Sequence, residues 1–94
     1  MTRQYLIGEL SARLEQLQAV ATSGTANDLV GLRYLVESGP LTALAPAATR
    51  AIALADSLCW ESLAAGDTST FCRQAAVSAD LRLFGVCARL LDDG

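Results

Sequence analysis

The sequence contains no histidine and no lysine. The first absence removes the Ser-His-Asp and Cys-His nucleophile systems, the HExxH zinc motif and a histidine haem ligand. The second removes the Walker A phosphate loop, the Schiff-base amine and the Ser-x-x-Lys nucleophile. Cysteine is scarce as well. Cys59, Cys72 and Cys87 are odd in number and lack CxxC spacing, which speaks against a complete disulfide framework and against a zinc ribbon.

Positive charge is limited to Arg3, Arg13, Arg33, Arg50, Arg73, Arg82 and Arg89, scattered singly among ten acids for a net charge of −3. No basic stripe exists to meet a phosphate backbone, so no nucleic-acid partner is expected. Long uninterrupted apolar runs are missing too. The longest tract, Leu41 to Trp60, carries Arg50 and Asp56 inside it and makes a poor membrane span. The first five residues, Met-Thr-Arg-Gln-Tyr, contain no apolar signal core, so export by that route is not expected. A cytoplasmic protein with reduced thiols is the resulting expectation.

What is present is apolar and helix-forming. The 94 residues suit one domain, and 52% of them are hydrophobic. That is ample for a core and more than one small monomer readily hides, which points towards self-association. Ala and Leu exceed a third of the chain, and together with the all-Arg basic set they suggest a GC-rich bacterial genome.

Breaks at Ser23-Gly24, Gly39-Pro40 and Gly66-Asp67 leave four segments with almost no period-two alternation. The expected fold is all-α, a small antiparallel four-helix bundle completed or extended by dimerisation. Helices are predicted at about 2–21, 27–38, 44–65 and 69–92. In the first, Ile7, Leu10, Leu14, Leu17 and Ala21 form an apolar face, and Glu9 sits four residues before Arg13. The second opens at the capping residues Thr25 to Asp28, carries Leu29, Leu32 and Val36, and has Gly31 in its middle. Gly39 is expected to stop it in a left-handed conformation ahead of Pro40.

The third segment has Pro46 in its first turn and a row of small residues, Leu44, Ala48, Ala51, Ala55, Leu58 and Ser62, that permits close helix approach. Trp60 near its end is expected to anchor a core or an interface. The fourth carries two heptad-like rows. Val77, Leu81, Phe84, Ala88 and Leu91 form one, and Cys72, Ala76, Ala79, Leu83, Val86 and Leu90 the other. One seam does not require both, so the helix is either central to the bundle or half of a subunit interface.

Few residues suggest chemistry. Glu9, Glu15, Asp56, Glu61 and Asp80 can pair as acid and base, but none has a Gly-rich or loop context, and solvated helix faces account for them. Cys72 and Cys87 are fifteen residues apart, roughly 22 Å along one helix, so they cannot share a cluster; small buried hydrophobes is the reading for all three cysteines. Asp56-Ser57-Leu58, echoed by Glu61-Ser62-Leu63, resembles the Asp-Ser-Leu box of acyl carrier proteins, and Phe84-Gly85-Val86 resembles a later carrier sequence. The resemblance implies a phosphopantetheine arm on Ser57. Carriers place that box at the start of their second helix, whereas Ala51 to Ala55 read here as helix interior.

The sequence therefore predicts a non-enzymatic, self-associating protein-interaction or regulatory module without metal or cofactor. Trp60, Leu83, Val86 and Leu90 are its predicted partner-binding residues, and a carrier-like domain modified at Ser57 is the alternative.

Overall fold

The computed structural model describes residues 2–93, with the side chain of residue 93 left out. The chain forms α1 (Arg3–Gln18), α2 (Ser23–Ser38), a 3-10 turn (Leu41–Ala43), α3 (Leu44–Ala64) and α4 (Thr68–Asp93). No strand occurs among the described residues. This is a small helical bundle, and none of these helices is long and apolar enough to cross a membrane.

Local chemistry sets most helix ends. Thr2 caps α1 by accepting the Tyr5 N–H on its hydroxyl at 3.1 Å. Asp67 caps α4, taking the Thr70 N–H at 3.1 Å and the Thr70 hydroxyl at 2.6 Å. That carboxyl is held below its ordinary range, first by the Thr70 hydroxyl and then by the Thr70 N–H. Between the last two helices the Gly66 N–H reaches the Leu63 carbonyl and the Asp67 N–H the Ser62 carbonyl. With Gly66 at φ +77, this is a Schellman closure of α3.

Three sequence expectations need correction here. α1 ends at Gln18 instead of Ala21, because residues 19–22 are spent reversing the chain while Ala21 still packs on the core. α2 begins at Ser23, four residues before the expected Asn27, with Thr22 at its N-cap and no side-chain cap bond. Ser23 and Gly24 fall in its first turn, where N–H groups lack intrahelical partners and weak helix formers cost least. Gly39 is extended at φ −82, not left-handed. It is needed for closeness instead, since a Cβ there would overlap the Leu35 carbonyl oxygen.

The helices pack as two antiparallel hairpins. Arg3 reaches Gly39, and Arg33 reaches Gln18, along the α1–α2 pair. α3 and α4 share the most extensive contact in the molecule. The row Leu44, Ala48, Ala51, Ala55 and Leu58 is buried, and a Cβ on Gly85 of α4 would lie 3.5 Å from that of Ala48. The small side chains thus bring two backbones close.

The core joins the hairpins. α1 contributes Leu6, Leu10, Leu14 and Leu17, with Leu6 fully buried and Ile7 at the margin. The apolar stripe is therefore rotated slightly from the predicted one. α2 adds Leu29, Leu32 and Val36, and α4 adds Val77, Leu81, Phe84 and Ala88. Arg13 ties α1 to α4: its guanidinium meets Glu9 at 2.7 Å and Asp80 at 3.2 Å, and lies 5.4 Å from the centre of the Phe84 ring.

Candidate interaction surface

The two heptad-like rows of α4 have opposite fates. Val77, Leu81, Phe84 and Ala88 are buried, whereas Cys72, Ala76, Ala79, Leu83, Val86 and Leu90 are all exposed. At about 100° per residue the exposed row falls on the far side of the helix from the core. Its spacing alternates four and three without interruption. Such four-three spacing is that of a coiled-coil seam.

The predicted contact residues stand on this surface. Leu83 is 59% exposed, Val86 48% and Leu90 66%. Trp60 is 67% exposed on α3, so it is no core anchor. It borders an open groove of about 340 Å³ shared with Cys59, Phe71, Ala75 and Arg82. Ala75 leads from that groove onto α4, next to Cys72 and Ala79. Trp60 therefore lies at the Cys72 end of the seam, and Leu90 at the other.

Two of the charges beside the seam are matched within the chain. Asp80 is held by Arg13 on one flank. On the other, Arg82 donates to Asp56 at 2.8 Å and also to the Ser78 hydroxyl, which in turn donates to Asp56 at 2.7 Å. The Ser78 hydrogen bond is the main reason the Asp56 carboxyl lies below its usual range; burial opposes this and Arg82 adds to it. The cluster was not legible in the sequence because Asp56 stands on a different helix, 22 and 26 residues from its partners. The i, i+4 spacing of Ser78 and Arg82 was the one local signal.

Other candidates are dispersed. Ser57 is exposed in the interior of α3, not at a helix start where the carrier resemblance would place it. Cys59 is buried, Cys87 half-buried and Cys72 exposed, so a buried role does not describe all three. Burial, and then the nearby Asp56 carboxylate, push the Cys59 thiol up, outweighing the opposing pull of Arg82. No group of three Cys, Asp or Glu capable of holding a metal ion occurs among the described residues. Glu9 and Asp80 are joined through Arg13, whereas Glu15 and Glu61 are exposed.

Comparison with protein families, curated proteins and solved structures finds no match to this chain.

Proposed function

We propose that the chain is a non-enzymatic helical interaction module that pairs with a second copy of itself along the outer face of α4. The observation carrying this reading is the outward heptad row from Cys72 to Leu90. A second copy suits it for two reasons. An identical helix offers the same four-three spacing, so Leu83, Val86 and Leu90 meet side chains of matching register, as an isologous contact requires. In addition, Asp80 and Arg82 beside the row are already paired within their own subunit, so two copies approach without uncompensated charge at these positions. Full burial of a Leu or Val side chain is worth about 1.5–3 kcal/mol, and Trp60 extends the apolar area at one end.

Replacing both Leu83 and Leu90 by Glu tests the assignment. Sedimentation should show the wild-type dimer become a monomer, while circular dichroism keeps its helical signal because neither side chain belongs to the core. A control Val30→Glu on the exposed face of α2 should leave the dimer intact. A variant at Leu83 and Leu90 that sediments like the wild type would reject this surface.

A further inference from the structure

A second groove, of about 520 Å³, opens between the end of α1 and the first half of α4. Ala19 and Val20 on one side and Ala76 and Val77 on the other supply its apolar part, and polar side chains, Gln16 among them, supply the rest. Gln74 lines it and is 4% exposed, and its Oε1 is buried without a hydrogen-bond partner. Such an oxygen is costly to leave unbonded, so the site lacks a donor.

The rim has one uncommitted charge. Arg13 is taken up by Glu9, Asp80 and the Phe84 ring, and Asp80 by Arg13. Arg73 forms no ion pair among the described residues; its hydrogen bond is a long one, 3.4 Å to the Thr70 hydroxyl. It acts on the Asp67 carboxylate only weakly and at longer range. A guanidinium without an ion pair, a buried amide and short aliphatic side chains thus line one groove. Small-molecule sites use a few placed polar groups to fix orientation, the part that Arg73 and Gln74 fill here.

We infer that this groove binds a small organic carboxylate with an amide N–H beside the charge, the chemistry of an N-acylated amino acid. The N–H donates to Gln74 Oε1, the carboxylate accepts from Arg73, and an aliphatic side chain lies against Ala19 and Val20. The inference does not depend on the pairing of α4, since its polar contacts come from one chain.

Titration of the isotope-labelled full chain with N-acetyl-leucine, followed by amide chemical shifts, tests it. Saturable shifts are expected around residues 16–20 and 73–77. N-acetyl-leucine amide, which lacks the charge, should bind at least about tenfold more weakly, as should Arg73→Gln with the acid, since each removes a charge-assisted hydrogen bond. Gln74→Leu should weaken binding to a similar degree and raise the unfolding temperature of the free protein. The site is overturned by absence of saturable shifts at millimolar ligand, or by unchanged affinity in Arg73→Gln. It is equally overturned if Gln74→Leu lowers the unfolding temperature, because the oxygen is then satisfied by solvent alone.

Discussion

Glycine carries several unlike tasks in this chain, and each predicts a different response to one added methyl group. Gly31 lies inside α2 with nothing within 4 Å of a built Cβ. Gly31→Ala should therefore stabilise the fold by about 0.5–1 kcal/mol in urea unfolding, the helix propensity difference. Gly66, at φ +77, should respond in the opposite direction, with Gly66→Ala costing about 1 kcal/mol or more. Ser78 supplies a pH-dependent case. Its hydroxyl holds the Asp56 carboxyl below the unfolded value, so this stabilisation is complete above that value, near pH 4, and is lost as pH falls through the lower folded value. The stability difference between wild type and Ser78→Ala should be flat from about pH 5 to 8 and shrink below about pH 4. A difference that grows on acidification would contradict the hydrogen-bond direction.

At the scale of elements, apolar periodicity reveals which faces are buried but not where each helix begins. The rows of α2, α3 and α4 are legible because Leu, Val and Ala recur at three and four residues and the core takes them in that register. The start of α2 is hidden because Ser-Gly reads as a break, yet the first turn has free donors whichever residue occupies it. The close α3–α4 contact also has a testable cost. Ala48 is fully buried and faces Gly85, so Ala48→Leu must part the helices and should destabilise by about 1–3 kcal/mol in urea unfolding. The Asp56–Ser78–Arg82 cluster and the Gln74 groove escape sequence reading for one reason: their members come from different helices, brought together only by packing.

For the whole molecule, the excess of apolar residues was legible from composition, but its division was not. Two heptad-like rows on α4 left open whether both served the interior. The bundle closes around one row using leucines from α1 and α2, leaving Leu83, Val86 and Leu90 outside with Trp60 beyond them on α3. Pairing along that row predicts a protection pattern for the thiols. Cys72 should react more slowly with a thiol reagent in the wild type than in the Leu83→Glu, Leu90→Glu variant. Cys59, buried and with its thiol pushed up, should be slow in both. Mass analysis after timed labelling checks this.

The most direct test of self-association is the native mass of the unaltered chain in solution, measured by sedimentation equilibrium over a wide concentration range. The account predicts a species of twice the chain mass that gives way to monomer on dilution. A single mass of 9.8 kDa at every concentration would contradict it.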